Sequence, residues 1–377
     1  MNSPFIYGKI ASGEAFADRE IEQKRLSQNI ASHINSILIS PRRWGKSSLM
    51  ARIGQTLQKR SAALRFCFLD LFNVRTEQEF YAQFAKEVLR VSFSRWEERI
   101  ESAKRFLASV TPKFNVGVDP ANDLSISFDW EEVKKSSEEI LNLPEVVSKE
   151  KKIHLVVCLD EFQNIGFFDN PPAFQKKLRA QWQYHKLATY CLYGSKRHWL
   201  TELFENKSMP FYKFGDILFL EKIPETYWVP FVVSAFRKTG KFISEDLALL
   251  IARRMENHPY FVQQLAHTVW TATIKHCTDR EFHDSLDVLL TQHAILFQRE
   301  VDGLTNPQIN FLKALSSNVT QFSAAETLRT YRLGTSGNVN RIKESLVSKE
   351  VIDIVQQRIE FIDPLFKVWF STVYMKH

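Results

Sequence analysis

The sequence predicts an α/β fold: a parallel sheet flanked by helices, followed by an all-helical segment and a small terminal domain of helices and two strands. Three observations carry this. Short apolar runs (SILIS, LRFCFLDLF, IHLVVCLDEF, LATYCLYGS, GDILFLEKI) alternate with helical patterns in the first 222 residues, as strands buried on both faces do. From about residue 225 such runs stop, and helical patterns follow at 225–239, 244–256, 259–276 and 280–300. The last stretch reads as helices at NPQINFLKALS, SAAETLRTYRL and NVNRIKESLVSKE, then strands at VIDIVQ and RIEFID. Three helices and a β-wing form a winged helix, a helix-turn-helix variant. The expected domains are 1–222, 223–300 and 301–377, with a β-hairpin inserted near 113–128.

Each element has its reason. Residues 19–33 place Ile21, Leu26 and Ile30 on or near one helical face. After SILIS comes a glycine turn, then a helix turning Leu49, Met50, Ile53 and Leu57 inward. A long helical stretch spans 76–108. Phe114, Val116 and Val118 then alternate, the turn DPAND intervenes, and Leu124, Ile126 and Phe128 alternate again, which is hairpin patterning. A helix follows over about 130–148, and PPAFQKKLRAQWQYHK begins another with proline at its start.

Composition limits the function classes. A chain of 377 residues, 44% hydrophobic and 25% charged, can bury two or three cores. Its 30 phenylalanines are spread along the chain, as packing residues are. The formal charge of +7 permits an anionic partner, but acidic and basic residues are interspersed rather than blocked. Three of the four cysteines (Cys67, Cys158, Cys191) sit in apolar strand-like runs, and no pair has metal-ligand spacing. No apolar run approaches membrane-spanning length and the N-terminal stretch lacks a signal-peptide pattern, so a cytoplasmic protein without membrane contact is expected.

The stretch SILISPRRWGKSSLM, residues 36–50, carries the chemistry. A strand ends at Ile39, a loop turns back, and a helix begins near Lys46. Unpaired N–H groups in such a loop and at the helix start converge on one spot and favour a polyphosphate. Gly45 allows close backbone approach, Lys46 would bridge the β- and γ-phosphates, and the Ser47 hydroxyl would bind Mg2+. Ser40 stands where the first glycine of the pattern belongs, the mildest replacement. The bland alternative is a chance Gly-Lys-Ser in a basic turn. Against it stands a second half-site: Asp160 and Glu161 close the apolar strand LVVCLDEF. In the sheet of a P-loop protein this strand is expected beside the loop strand, its end facing the same phosphates, where Asp160 would hold Mg2+ and Glu161 would polarise the attacking water. No Asn-Lys-x-Asp element appears, so ATP is favoured over GTP.

These residues are similar to a known group. PRRWGKSSL, CLDEFQNI, YCLYGS, ENHPYFVQQLA and IDPLFKVW, in that order, resemble the archaeal and bacterial P-loop ATPases of the AAA-like/STAND group, and the likeness covers nearly the whole chain. FADREIEQKRL resembles that group's phenylalanine–x–glycine–arginine–glutamate motif, with Ala17–Asp18 replacing the usual pairing with glycine before Arg19. The resemblance implies an ATP-binding core, a helical lid and a winged helix. It implies that Phe16 and Arg19 border the adenine, that the loop residues Ser40, Pro41, Arg42, Arg43, Trp44, Gly45, Lys46, Ser47 and Ser48 hold the phosphates, and that Pro259 meets the base or ribose. Ser195 takes the place of the sensor of the γ-phosphate. By residue chemistry alone Ser195 is equally a strand cap. Arg197 is a candidate arginine finger, and Arg42 and Arg43 either stabilise transition-state charge, reach a neighbouring subunit, or are solvated.

The expectation is a Mg-dependent ATPase that works as a switch or motor between ATP and ADP states, with a partner-binding winged helix. The alternative is a nucleotide-gated DNA-binding regulator with little turnover. Residues 302–377 hold nine Lys/Arg against seven Asp/Glu, a weak footprint for DNA, so the winged helix could bind DNA, bind protein or pack on the core. Homo-oligomerisation is left open.

Overall fold

A computed structural model describes residues 2–11, 13, 16–93, 101, 114–118, 124–128, 130–355 and 358–376. They form two compact units: Asp18–Glu221, and Met1–Ala17 with Lys222–His377.

The first unit runs α1 (Glu20–Ala31), β1 (Ser36–Ile39), α2 (Lys46–Arg60), β2 (Leu64–Asp70) and α3 (Glu77–Ser92). An antiparallel hairpin follows, β3 (Phe114–Val118) and β4 (Leu124–Phe128), pairing Phe114 with Phe128. The DPAND turn and most of the helix expected beyond Phe93 lie outside the described residues. Then come α4 (Trp130–Lys151), β5 (His154–Asp160), a 3-10 segment (Phe162–Phe167), α5 (Pro171–Trp182), β6 (Ala188–Gly194), α6 (Arg197–Glu205) and β7 (Asp216–Phe219). Five parallel strands order as β2-β5-β6-β1-β7. Every residue of β1 and β6 is buried, the signature of strands covered on both faces.

Two expectations need correction. The Asp160 strand is not beside the loop strand, because β6 stands between β5 and β1. With all seven residues buried, β6 needs a strand on either side of it. Ile21 is 76% exposed, while Leu26 and Ile30 bury the helix. Five residues separate Ile21 from Leu26, about 140° around a helix, which carries Ile21 off the inward face.

The second unit contains α7 (Glu225–Lys238), α8 (Glu245–Arg254), α9 (Pro259–Ala272), α10 (Asp279–Asp302), α11 (Asn306–Ser316), α12 (Ala325–Thr330), α13 (Ser336–Ser348), β8 (Ile352–Val355), β9 (Arg358–Phe361) and α14 (Pro364–Thr372). The helix α10 passes unbroken through residue 300, where a boundary is expected from sequence. Its Phe297 packs 5.4 Å from Phe366 and 5.7 Å from Trp369, so helical segment and winged helix share one core. An ion-pair chain adds to this. Lys222 contacts Glu360 at 2.7 Å and Glu256 at 3.4 Å, and Lys367 contacts Glu256 at 2.5 Å.

Two histidines of the first unit make stability depend on pH. His154 stacks on His33 at 3.9 Å and shares a 2.8 Å hydrogen bond with Thr189; His185 shares one of 2.8 Å with Tyr190. Burial pushes both imidazoles down to about 4 from an ordinary 6.5. Between those values the unfolded chain binds protons that the folded chain refuses, so their contribution is intact above about 6.5 and is lost as pH falls toward about 4. The buried carboxyls of Asp160 and Glu300, shifted upward, act oppositely. The test is therefore a difference. His154→Gln/His185→Gln should lose less stability than the unsubstituted chain between pH 7 and 5 in urea melts, and parallel curves would refute the assignment.

Candidate functional site

The loop between β1 and α2 is built by two left-handed residues, Arg43 at φ 63° and Gly45 at φ 91°. Gly45 therefore meets a conformational demand that a side chain makes costly. Ser40 does not: its φ is not positive, so glycine is not required there. It is buried, its hydroxyl donates to the Pro41 carbonyl at 3.2 Å, and it accepts from Lys46 at 3.4 Å. Pro41 and Trp44 are buried, Gly45 and Ser48 half-buried, and Arg42 and Arg43 exposed.

Lys46 opens α2. Its buried ammonium donates to the carbonyls of Ser40 at 3.0 Å and Pro41 at 2.9 Å. Burial pushes its pKa down to about 8, against the pull of Glu161 and Asp160. The next residue reaches across the sheet: Ser47 Oγ donates to Asp160 Oδ2 at 2.5 Å. β1 and β5 are two strand spacings apart, about 10 Å, and the hydroxyl at the helix start closes that gap. Asp160 also accepts from the Glu161 N–H at 2.8 Å. Burial nevertheless pushes its carboxyl up to about 6. One hydroxyl and one carboxylate oxygen in contact are hard donors that fit Mg2+, which takes few protein ligands and completes its shell with phosphate and water. Among the described residues no cluster of three or more His, Cys, Asp or Glu could form an all-protein metal cage.

Glu161 is left-handed at φ 49°, and the 3-10 segment that follows curls the chain back beneath it. Its Oε2 accepts from Ser195 Oγ at 2.8 Å and from Gln163 Nε2. The Ser195 hydroxyl also accepts from Arg42 Nε at 3.4 Å and from Gln163 Nε2 at 3.3 Å. Its one proton and two lone pairs are all engaged. Reading a phosphate would require Ser195 to release one of these partners.

Arg19 is buried and left-handed at φ 78°, following Asp18 at φ 53°. The residue standing where glycine was expected thus has a glycine-like backbone, one that aspartate tolerates better than most. The Arg19 guanidinium donates to the Trp44 carbonyl at 3.3 Å and pairs with Glu22 at 3.0 Å; burial lowers its pKa and Glu22 raises it. It holds the loop from behind. Arg197 opens α6 with its guanidinium 5.1 Å over the Phe219 ring. Phe16 and Pro259 belong to the second unit, where Pro259 starts α9 behind the His258 cap.

The first unit thus brings together Arg19, the loop, Asp160, Glu161 and Ser195. Sequence reasoning missed Gln163 and Gly194. A signal existed only for Gly194, in a chain with only 12 glycines.

Comparison with solved structures fits this geometry. The Walker-type ATPase PABY2304 of Pyrococcus abyssi aligns over 94% of this chain and 96% of its own, at 16% identity and a TM-score of 0.65. The ORC2 protein of Aeropyrum pernix, in ADPNP–ADP complexes, aligns over 99% of this chain and 98% of its own, at 13% identity and a TM-score of 0.57. The chain has their fold. A family described as "probable winged helix domain" matches residues 295–372, a stretch beginning inside α10. No curated protein matches the sequence.

Arg19→Ala strips a donor from the Trp44 carbonyl and from Glu22, and should lower stability by ~1–3 kcal/mol. Urea midpoints would show this, with Arg19→Lys recovering part; an unchanged midpoint for Arg19→Ala would mean the guanidinium does not hold the loop.

Proposed function

We propose that this chain binds Mg–ATP at the β1–α2 loop and hydrolyses it, cycling as a nucleotide-driven switch whose winged helix engages a partner. One observation carries the reading: the Ser47–Asp160 hydrogen bond joins two half-sites 113 residues apart at one edge of the sheet. The fold shared with Walker-type ATPases supports it.

Each residue then has a task. Loop amides and the Lys46 ammonium hold the β- and γ-phosphates, and Lys46 exchanges its loop carbonyls for phosphate oxygens. Ser47 and Asp160 would hold Mg2+, which supplies charge neutralisation on the phosphates. Glu161 accepts a hydrogen bond from the attacking water and turns its lone pair toward the γ-phosphorus, in line with the leaving ADP. Arg42 and Ser195 sense the γ-phosphate beside it.

The engaged Glu161 carboxylate favours a second reading, a nucleotide-gated regulator with little turnover. Single-turnover hydrolysis with and without DNA separates the two. Many-fold stimulation supports the ATPase machine, whereas nucleotide-dependent partner binding with negligible turnover supports the regulator. Lys46→Ala should abolish triphosphate binding or hydrolysis. Glu161→Gln should bind Mg–ATP normally and lose turnover by about a hundredfold or more. Wild-type hydrolysis in Lys46→Ala would end the reading, and wild-type hydrolysis in Glu161→Gln would remove Glu161 from its role.

The winged helix gets its own test. In α13 the Asn338 amide donates to Leu333 O at 2.8 Å and Arg341 is exposed, while Lys349, just past the helix, donates to Gly303 O at 2.6 Å. If α13 contacts DNA, Arg341→Glu/Lys343→Glu should weaken binding and reduce the log–log salt slope by about 2. Unchanged affinity and slope would reject that helix as the DNA contact.

A further inference from the structure

We propose that Gln163 is the positioning residue for Glu161, and that Gly194 provides the space its carboxamide needs. The inference rests on the ATPase reading above. Gln163 is buried, 3% exposed, beneath the acid it serves. Its Nε2 donates both to Glu161 Oε2 and to Ser195 Oγ, the latter at 3.3 Å. A carboxylate accepts only, so the amide nitrogen must face it and the amide oxygen must turn away. That oxygen lies where β6 ends. A Cβ built on Gly194 would stand 1.9 Å from Gln163 Oε1 and 3.1 Å from its Cδ. Gly194 has no positive φ, so backbone freedom does not explain it; close approach does.

The consequence is mechanical. Glu161 hangs from a left-handed turn and needs a fixed partner to present one oxygen to water reproducibly. Ser195 is tied to Arg42 of the loop and changes partners if that loop rearranges around a phosphate. Gln163 belongs to the same 3-10 segment as the turn it supports, and its contact persists through such a change. It does not meet the substrate and acts through Glu161.

The experiment measures Mg–ATP affinity, ATP turnover and melting temperature of the full chain. Gln163→Leu should lower kcat on the order of ten- to a hundredfold, as small misplacements of a catalytic group do, with Mg–ATP affinity nearly unchanged. Gly194→Ala should do the same, because its methyl drives the carboxamide off Glu161. In a Gln163→Ala background Gly194→Ala should add almost nothing, since the remaining close neighbour, Leu200 Cδ1 at 3.1 Å, is a movable side-chain end. If Gly194→Ala does not fold, the two Gln163 variants carry the test alone. Unaltered turnover in Gln163→Leu, or parallel loss of affinity and turnover, overturns the positioning role and leaves the ATPase reading standing. No turnover in the unsubstituted chain removes both.

Discussion

The structure depends on how charge is kept at the C-terminal edge of a buried parallel sheet. Lys46 and Asp160 are both withdrawn from water, and removing an ion from water costs several kcal/mol even after relaxation. Each is compensated only in part. Lys46 has loop carbonyls, Asp160 has a hydroxyl and one amide, and both pKa values still move toward the neutral form, to about 8 and about 6. Under the proposed function that deficit would become affinity for a ligand. A polyphosphate would complete the lysine and a divalent cation the aspartate, so ligand and protein each supply what the other lacks.

Some of the chain's strained backbone lies at or beside the same edge. Asp18, Arg19, Arg43 and Glu161 are all non-glycine residues at positive φ, each costing roughly 1–2 kcal/mol against an ordinary conformation. Arg19 turns inward to bond the loop, and Glu161 turns its carboxylate onto Ser195 and Gln163. Left-handed residues at both places position side chains that an ordinary helix start or strand end would aim elsewhere.

The same physics decides what was legible in the sequence. Strands were visible because SILI and ATYCLYG are apolar at nearly every position, and helix starts because Thr76, Asn170 and Ser244 cap them with their own side chains. The α2 start was legible through Gly45, whose positive φ leaves a compositional mark, and the first position of the motif could lose its glycine because no positive φ is used there. Strand order was not legible. Nothing in IHLVVCLDEF or LATYCLYGS says which of them neighbours β1, since both are equally apolar. The short helix α6 lacks a side-chain cap and was missed. So was α14, although its Asp363-Pro364 start marks a capped helix with proline in first place. Gln163 was illegible for a different reason: its role arises from the turn at Glu161, and no local pattern encodes a left-handed glutamate.

Packing in the second unit ties its helical segment to its winged helix. Because Phe297 of α10 is buried against Phe366 and Trp369, and Lys222, Glu256, Glu360 and Lys367 form one ion-pair chain, helical segment and winged helix share both core and surface bonds. Separating them would expose a continuous apolar cluster. The chain passes between the units twice, at Ala17–Asp18 and at Glu221–Lys222. The first passage adjoins Arg19, which bonds the loop at Trp44; the second follows Leu220, whose N–H donates to Ile39 at 2.9 Å. Both covalent passages thus leave the first unit one residue from a bond to the loop or its strand.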